Sequence, residues 1–253
     1  MNSPTLLIDG DILNYKVCTT NMRDTCFDGT THLHWLDDAT AKAAVRAALD
    51  YYIKKFDTEK IIIALSDSEN FRNSVYPQYK SSRKNLTKPP GFVAVRDYIK
   101  EQHKFVQKPK IEADDVLGIL ATHPDIVQGE KVIISIDKDF KQIPGTLFNS
   151  DKKELYAITK EEADYYFWQQ TLTGDTTDGY PGCPKIGEKT VQKLLGKGLT
   201  EENAWSIIVG QFIKAGKSEE FALQMARCAR ILRAEDYNFE KGEPILWKPK
   251  QAV

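Results

Sequence analysis

The sequence has few cysteines and no long apolar run. Its 253 residues include four cysteines, none in a C-x-x-C pair, which argues against a zinc site and against a disulfide framework. An H-x-H pair, His32 and His34, has no partner cluster in the sequence, so we expect these histidines on the surface. No apolar stretch approaches the roughly 20 residues of a membrane span, and no signal-peptide pattern is visible. We therefore expect a soluble cytoplasmic protein with reduced thiols.

Several common catalytic motifs are missing as well, and so is an excess of positive charge. The sequence contains no G-x-S-x-G, no P-loop and no G-x-G-x-x-G. Its formal net charge of -1 is low for a protein that binds nucleic acid. However, nine of the 36 acids are assigned to a metal site below, where bound ions would neutralise them. Without these nine, 35 basic residues exceed the remaining 27 acidic ones. The net charge therefore does not exclude DNA as a partner.

Three short apolar runs predict buried strands that each end in carboxylates. The runs and their acids are 5–8 with Asp9, 61–65 with Asp67, and 132–136 with Asp137 and Asp139. A helical pattern between the first two runs indicates a βαβ unit, so we predict an α/β fold with a mostly parallel sheet flanked by helices. Because ligands bind at the carboxyl ends of parallel strands, we expect these acids to meet at one edge of the sheet.

Two further groups of acids repeat a three-residue spacing. Glu112 and Asp115, with Asp114 between them, open an apolar helical pattern, and Asp175 and Asp178 lie in TGDTTDG. Residues three apart share a helix face, and a helix start also offers the positive end of the helix dipole. Taken singly, each of these acids would also suit a helix cap, a turn or the solvated surface.

Acids at so many strand ends and helix starts together favour a metal site. Ligand sets made only of oxygen select hard cations such as Mg²⁺ or Mn²⁺, and two such ions about 4 Å apart can clamp a phosphodiester during hydrolysis. The sequence therefore predicts a two-metal phosphodiesterase site. Its predicted ligands are Asp9, Asp67, Glu112, Asp114, Asp115, Asp137, Asp139, Asp175 and Asp178.

A basic segment follows the second predicted strand. Between residues 72 and 110 the sequence has ten lysines or arginines and only two acids. Lys80 and Arg83 are candidates to stabilise developing charge on the scissile phosphate. Other side chains could follow the charged backbone of a nucleic acid or stack on a base, and the alternatives are a solvated basic face and a buried aromatic ring. The candidates for these contacts are Arg72, Lys84 and Tyr15.

The character of the sequence changes after residue 158. A capping-box pattern begins at Thr159, and helical patterns follow, the last of them over residues 218–232. We therefore predict two regions, an α/β core (1–158) that contains the basic segment (about 70–110), and a helical region (159–253).

One stretch of the helical region, GYPGCPKIGEKTVQKLL at residues 179–195, resembles a helix–hairpin–helix motif. In such a motif, glycines shape the hairpin and backbone N–H groups at a helix start hold a DNA phosphate. The alternative is an ordinary capped turn. The residues that we expect to contact DNA here are Gly182, Lys185, Gly187, Lys189 and Thr190.

Six motifs in order resemble the 5′→3′ exonuclease and flap endonuclease superfamily, and within it the stand-alone exonucleases of short-tailed bacteriophages. They are LLIDGD, ALSDSENFR, YKSSRKN, IEADDVLGILA, VIISIDKDFKQIP and LTGDTTDGYPGCPKIGEKT. The resemblance implies a PIN-like nuclease core, a helical arch over the basic pair Lys80 and Arg83, and an aromatic residue at Tyr15. It also implies two metal ions, with Asp9, Asp67, Glu112 and Asp114 on the first and Asp115, Asp137, Asp139, Asp175 and Asp178 on the second.

Two features depart from the family pattern. The family's hairpin usually carries Gly-Ile-Gly and often binds a potassium ion, whereas this chain has Lys185-Ile186-Gly187. Lys185 either replaces the charge of the potassium ion or contacts a phosphate itself, so a K⁺ site at the hairpin stays open. The arch segment is also short, which leaves open whether it closes over single strands.

The expected function is that of a monomeric, metal-dependent 5′→3′ exonuclease acting on double-stranded DNA with a 5′ end and giving 5′-phosphate products. RNA–DNA hybrids and flaps are further candidate substrates, and the enzyme would serve phage DNA replication, primer removal or degradation of host DNA. One alternative is a haloacid-dehalogenase-type phosphohydrolase that uses Asp9 and Asp11. Another is a non-catalytic module that binds DNA through the hairpin alone. Both leave Glu112 and its neighbouring acids unexplained.

Overall fold

The structure, a computed structural model, describes residues 3–83, 86–196 and 198–250. Its strands are β1 (Thr5–Asp9), β2 (Arg23–Cys26), β3 (His32–Trp35), β4 (Ile61–Leu65), β5 (Phe105–Gln107), β6 (Lys131–Ser135), β7 (Gly145–Asn149), β8 (Glu154–Ile158), β9 (Tyr237–Asn238) and β10 (Glu243–Pro244). Six of them form one sheet in the order β5-β4-β1-β6-β7-β8, in which only β8 is antiparallel to its neighbour. The predicted α/β fold with a mostly parallel sheet is confirmed, and β1 lies between β4 and β6.

Helices cover both faces of this sheet. They are α1 (Gly10–Asn21), α2 (Asp38–Phe56), α3 (Arg72–Val75), α4 (Phe92–Gln102), α5 (Ala113–Thr122), α6 (Lys160–Thr173), α7 (Glu188–Leu194), α8 (Glu201–Lys214) and α9 (Glu219–Ala229). Short 3₁₀ segments lie at Ser81–Arg83, Lys138–Gln142 and Ala234–Asp236. In the ranges that the structure describes, none of the helices has the length and apolar character that crossing a bilayer requires.

Alternate side chains of β1 enter two different cores. Leu6 and Ile8 pack with side chains of α1, α2 and α4 on one face of the sheet, whereas Leu7 packs with α5 on the other face. Both faces of β1 are therefore buried, which explains why its sequence is continuously apolar instead of alternating. The polar residue that follows this apolar run, Asp9, is at the end of the strand, where the sheet opens to solvent.

A third core belongs to the C-terminal helices. Side chains of α6, α7, α8 and α9 pack together around Phe167, Phe212 and Met225. Tyr79, from the basic segment, is buried in this same core, and Leu232, from the C-terminal region, is buried in the core beneath α5. Side chains from both sides of residue 158 thus share these cores, and the division of the chain there stays a prediction.

The last long helix ends earlier than its sequence pattern predicts. The pattern runs to Leu232, but α9 ends at Ala229, and Arg230 has extended backbone. The chain then passes, buried, along α5, where Gly118 is needed because a Cβ at that position would lie 2.3 Å from the carbonyl oxygen of Leu232. Residues buried on all sides extend an apolar pattern past the helix, so the pattern alone could not locate its end.

Candidate active site

A cleft of about 1090 Å³ opens at the carboxyl ends of the central strands. Strands β1, β4 and β6 end there, and α5 begins there. The walls of the cleft combine acids from these elements with basic side chains from the segment that follows β4. The predicted site residues that line it are Asp9, Tyr15, Asp67, Lys80, Arg83, Glu112, Asp114 and Asp137.

Asp9 ends β1 and caps α1. One of its oxygens accepts a hydrogen bond from the backbone N–H of Ile12 (3.0 Å), and the other accepts one from the Ser135 hydroxyl (2.9 Å). Burial nevertheless raises the pKa of Asp9 to about 7, and the charges of Asp11 and Asp137 act in the same direction. The fold therefore holds this carboxyl in a place where its negative charge is poorly compensated.

Asp137 and Asp139 follow β6 at the start of a 3₁₀ turn. Asp137 accepts a hydrogen bond from the backbone N–H of Asp139 (2.8 Å), and Asp139 accepts one from the side-chain amide of Gln170 (2.6 Å). Burial raises the pKa of both carboxyls, and together with the charges of Asp137 and Asp175 it brings the pKa of Asp139 to about 7. Asp175 and Asp178 both contribute to these shifts, so four of the five acids in the second predicted group lie near one another.

The start of α5 brings a further group of carboxylates to the cleft. One oxygen each of Glu112, Asp114 and Asp115 lies within 4.8 Å of the other two. Burial, with the charges of Glu112 and Asp115, raises the pKa of Asp114 well above its ordinary value. Burial acts on Glu112 as well, but the charges of Lys80 and Arg72 outweigh it and lower the pKa of Glu112 to about 2. Lys80 and Arg72 lower the pKa of Asp114 as well, but there burial and the neighbouring acids outweigh them.

Arg72 is buried, which overturns the prediction that it contacts DNA. Its side chain is only 2% exposed, and its guanidinium donates two hydrogen bonds of 2.7 Å to the two oxygens of Asp115. It also donates to the backbone carbonyls of Cys228 and Arg230, at the end of α9 and just beyond it. This arginine therefore fastens the C-terminal tail to the site from within the protein.

The same pair corrects the prediction that Asp115 is a metal ligand. Its side chain is 0% exposed, and both of its oxygens already accept hydrogen bonds from Arg72. They also accept from the backbone N–H groups of Glu112 (3.1 Å) and Leu232 (3.0 Å). Because these donors occupy both oxygens, Asp115 fixes the start of α5 and leaves ligation to its neighbours.

Lys80 and Arg83 each contact an acid across the cleft. The Lys80 ammonium donates to Glu112 and lies 3.5 Å from Asp178, while Arg83 donates to Asp178 (2.7 Å). Burial would lower the pKa of Lys80, but the charges of Glu112 and Asp114 raise it, so the amine stays protonated. Lys80 also has a left-handed backbone conformation (φ 50°), in which its N–H donates to the Asp178 carbonyl oxygen (2.7 Å).

Asp67 is at the rim of the cleft and differs from the buried acids. One of its oxygens accepts a hydrogen bond from the backbone N–H of Lys110 (2.8 Å). Backbone N–H groups of Lys110 and Ser68 lower its pKa. This carboxylate is therefore charged at neutral pH without help from any cation.

The chain between α6 and α7 forms a hairpin in which two backbones touch. A Cβ on Gly182 would lie 2.3 Å from the backbone nitrogen of Gly174, so only glycine fits there. Gly182 is buried by this contact, and the prediction that it contacts DNA is therefore wrong.

Lys185 has a left-handed backbone conformation (φ 65°). Glycine, the residue that the Gly-Ile-Gly pattern has at this position, adopts this conformation more readily than lysine. The exposed predicted residues of the hairpin are Lys185, Gly187, Lys189 and Thr190. Lys84, also predicted to contact DNA, lies outside the described residues.

The family model of the 5′-3′ exonuclease N-terminal resolvase-like domain matches residues 4–166. The chain belongs to this family. The exodeoxyribonuclease of Enterobacteria phage T3 and the exonuclease of Escherichia phage T7 are each 32% identical to it, over 97% and 96% of this chain and 93% of each relative. Membership in the 5′-3′ exonuclease family identifies the chain as an exonuclease, which decides against the phosphohydrolase and the non-catalytic alternatives.

Solved structures show the same fold at low sequence identity. The bacteriophage T5 D15 protein, co-crystallised with metal ions, matches with a TM-score of 0.66 and 14% identity, over 88% of each chain. A complex of the T5 D15 flap endonuclease with DNA and metal ions matches with a TM-score of 0.62, over 88% of this chain and 87% of the other. The fold of this 5′-3′ exonuclease family member is thus that of the flap endonucleases.

Some residues of the site have no clear signal in the sequence. The hydroxyl of Tyr79 lies within hydrogen-bond distance of two acids, Glu112 (2.9 Å) and Asp178 (3.0 Å), and can donate to either. The one sequence signal for its place in the site is its position next to Lys80. Ser135 contacts Asp9 from the last position of β6. Gln170 reaches Asp139 from α6, 31 residues away in sequence, and no local pattern marks it.

Proposed function

We propose that this exonuclease is metal-dependent and degrades double-stranded DNA from a 5′ end, releasing 5′-phosphate products. RNA annealed to DNA and flapped ends are further candidate substrates. We place the activity in the cytoplasm of an infected bacterial host, in phage DNA replication, primer removal or degradation of host DNA. The family model supports the 5′-3′ polarity, and the names and sources of the T3 and T7 relatives support an exonuclease in a phage setting. The observation that carries the proposal is the group of poorly compensated carboxyls in one cleft.

The donor set fits two Mg²⁺ or Mn²⁺ ions. Every donor is a carboxylate oxygen, which these ions prefer. Burial and neighbouring acids raise the pKa values of four carboxyls, Asp9, Asp114, Asp137 and Asp139. Bound cations would offset this repulsion and the cost of burying negative charge, which the chain itself does not compensate. Divalent ions bound there would supply an activated water and stabilise the leaving oxygen. We assign Asp9, Asp67, Glu112 and Asp114 to one ion, and Asp137, Asp139, Asp175 and Asp178 to the other.

Lys80 and Arg83 are the groups that we expect to bind the scissile phosphate. Both are cationic, both line the cleft, and both now contact acids of the site. A DNA phosphate that enters the cleft would compete with Glu112 and Asp178 for these donors. Charge-assisted hydrogen bonds from the two side chains would then stabilise negative charge that develops on the phosphate oxygens.

Two other parts of the protein, Tyr15 and the hairpin before α7, are expected to bind the rest of the DNA. Tyr15 lines the cleft with 54% of its surface exposed, so its ring is free to stack on a base next to the cut. We propose that the exposed end of the hairpin before α7 holds duplex DNA through backbone N–H groups, with Lys189 and Thr190 beside them. Lys185 supplies positive charge there, in place of a potassium ion or in direct contact with a phosphate.

Cleavage of end-labelled duplexes tests the proposal. A duplex labelled at its 5′ end would be incubated with the wild-type enzyme and with Asp137→Asn, in Mg²⁺ or in EDTA. We expect release of short products only in Mg²⁺, and a loss of at least about 100-fold in rate for Asp137→Asn, because that acid would hold a catalytic ion.

Two controls make the assay specific. A duplex labelled at the 3′ end should keep its label on long strands that shorten gradually, and the label should reach short products only late in the reaction, which establishes the polarity. Asp50→Asn, at an exposed position on α2, should cleave like wild type. Cleavage in EDTA, or full activity of Asp137→Asn, would contradict the proposed metal-dependent mechanism.

A further inference from the structure

A two-stranded hairpin, β2 and β3, gathers four side chains that can ligate a metal. Its register pairs Asp24 with His34 and Cys26 with His32. Cross-strand partners lie on the same face of a hairpin, and so do residues two apart along a strand. The four side chains therefore share one face. The sequence separates them into D-x-C and H-x-H pairs, which is why no metal pattern is visible before the strands are paired.

Asp24 contacts both histidines of this cluster. One oxygen of Asp24 lies 2.7 Å from Nδ1 of His32, and the other lies 3.7 Å from Nε2 of His34. Zinc–ligand bonds of about 2.0–2.3 Å in a tetrahedron hold neighbouring ligand atoms about 3.3–3.8 Å apart. Asp24 thus contacts both imidazoles, each through a different oxygen. No three of these four described side chains have ligand atoms within 4.8 Å of one another, so a bound ion would draw the exposed side chains together through changes of rotamer. Cys26 is an exposed free thiol, whereas Cys18, Cys183 and Cys228 are buried.

The hairpin also lacks the packing that normally stabilises paired strands. Neither strand contains a buried residue. A two-stranded hairpin without a covered face is marginally stable in water. On the face opposite the cluster, the guanidinium of Arg23 stacks over the ring of Trp35, 5.2 Å from its centroid. On the cluster's own face, the described contacts are between polar, ligand-type side chains, which a bound ion would join across the two strands.

We propose that Asp24, Cys26, His32 and His34 bind a zinc ion, or a similar divalent transition metal, and that this ion clips β2 to β3. The site is independent of the proposed nuclease function. Its donors include sulfur and nitrogen, which favour zinc, whereas the cleft offers oxygen donors, which favour Mg²⁺ or Mn²⁺. Binding releases the thiol proton of Cys26, because the thiolate is the ligand.

Cobalt substitution tests the site directly. The reduced, full-length protein would be titrated with Co²⁺ in excess Mg²⁺, which fills the oxygen sites of the cleft. We expect one equivalent to give the near-ultraviolet thiolate-to-cobalt band and the intense visible bands of tetrahedral cobalt, and Zn²⁺ to abolish both. Cys26→Ser should lose the thiolate band, and His32→Ala or His34→Ala should weaken binding by on the order of tenfold or more.

Matched variants separate this site from the cleft and from general effects on folding. Leu33→Ala lies on the opposite face of the same hairpin and should bind cobalt like wild type. Asp137→Asn damages the cleft and should leave the thiolate band unchanged. All substituted hairpin residues are exposed, and circular dichroism would verify that each variant is folded.

Alkylation provides a second measurement that does not depend on spectra. Zn²⁺ should slow the reaction of Cys26 with iodoacetamide, as mapped by mass spectrometry, and the double variant His32→Ala, His34→Ala should lose this protection. The proposal is overturned if saturating Co²⁺ gives no thiolate band. It is equally overturned if the hairpin variants bind the metal as tightly as wild type, or if Zn²⁺ leaves the reactivity of Cys26 unchanged.

Discussion

The carboxyls of the cleft form two groups that differ in how far the chain compensates their charge. Glu112 contacts Lys80 and Tyr79, with Arg72 at 3.4 Å, and its pKa is lowered to about 2 despite its burial. Asp9 and Asp139 line or adjoin the same cleft, but burial and neighbouring acids raise the pKa of each to about 7. The chain thus supplies its own cations to one group and leaves the other to cations from solution.

Closeness in sequence does not decide to which group an acid belongs. Asp114 is two residues from Glu112 on the same helix start, yet its pKa is raised well above the ordinary value while that of Glu112 is lowered. Glu112 is in direct ion-pair contact with Lys80 and Arg72, whereas for Asp114 burial and the neighbouring acids outweigh the charges of these two residues. The compensated group therefore anchors the site, and the uncompensated group provides the place where divalent ions gain most from binding.

The largest expected effect comes from removing a cation of the compensated group. Arg72→Met keeps most of the side-chain volume but leaves Asp115 buried without its partner. Breaking a buried ion pair from one side costs about 3–5 kcal/mol, so we expect a loss of that order in the free energy of unfolding. Urea unfolding followed by circular dichroism would measure it.

Two further variants sharpen this test. Lys160→Met removes an exposed ammonium from its i,i+4 pair with Asp164, which keeps its ion pair with Arg233, so the urea midpoint should stay nearly unchanged. The double variant Arg72→Met, Asp115→Leu should recover part of the loss, since replacing both charges removes the unpaired one. Recovery should stay incomplete because the N–H groups of Glu112 and Leu232 lose their acceptor. If Arg72→Met and Lys160→Met had the same free energy of unfolding, the buried ion pair would contribute no more to stability than the pair that involves Lys160.

Strand ends could be predicted from the sequence, but pairing between distant side chains could not. The runs that become β1, β4 and β6 are apolar and stop at Asp9, Asp67 and Asp137, so the strand order of a parallel sheet brings these acids together. Arg72, in contrast, is basic within a basic segment, and its residue type favoured a surface position. Only the path of the tail after α9 buries it, through carbonyl groups more than 150 residues away.

The hairpin residues illustrate the same limit at shorter range. Gly182 and Gly187 both lie in a glycine- and proline-rich stretch, and the sequence predicted one role for both. In the structure, Gly182 is buried against Gly174, whereas Gly187 is exposed at the start of α7. Backbone contact between two glycines depends on how the hairpin closes, which neither composition nor spacing encodes.

A smaller effect is expected from the cation that faces both groups. Lys80→Met removes the ammonium that contacts Glu112 and that we expect to stabilise charge on the scissile phosphate. Loss of one such donor costs about 10²–10³-fold in kcat, with a smaller change in KM, because the interaction strengthens as charge develops. Steady-state cleavage of the 5′-labelled duplex in Mg²⁺ would measure both constants.

The control for this variant removes an equal charge elsewhere. Lys160→Met, at the exposed start of α6, should keep the wild-type kcat. If kcat of Lys80→Met falls by less than about tenfold, Lys80 would belong only to the compensated group and would not act on the phosphate.

The smallest expected effect concerns stability against pH, where the two groups act in opposite directions. Asp9 and Asp139 titrate near pH 7 in the folded, metal-free chain but near pH 4 when unfolded, so the folded state holds more protons between these values. Stability should therefore fall as the pH rises through this window. Glu112 contributes stability above its unfolded pKa and loses it only as the pH falls toward about 2.

In EDTA we therefore expect the melting temperature to fall between about pH 5 and pH 7.5, where, of the two carboxyl groups, the uncompensated one titrates. Divalent ions replace the lost protons, so Mg²⁺ at about 100 times its Kd should add about 2.7 kcal/mol at the upper pH, or roughly 5–10 °C. Asp139→Asn should flatten the pH dependence and weaken the Mg²⁺ shift, whereas Asp50→Asn should keep both. If millimolar Mg²⁺ at pH 7.5 left the melting temperature unchanged, the comparison would fail. The loss of protons from Asp9 and Asp139 would then leave no uncompensated charge for a metal ion to offset, and the two groups would not differ in their need for cations.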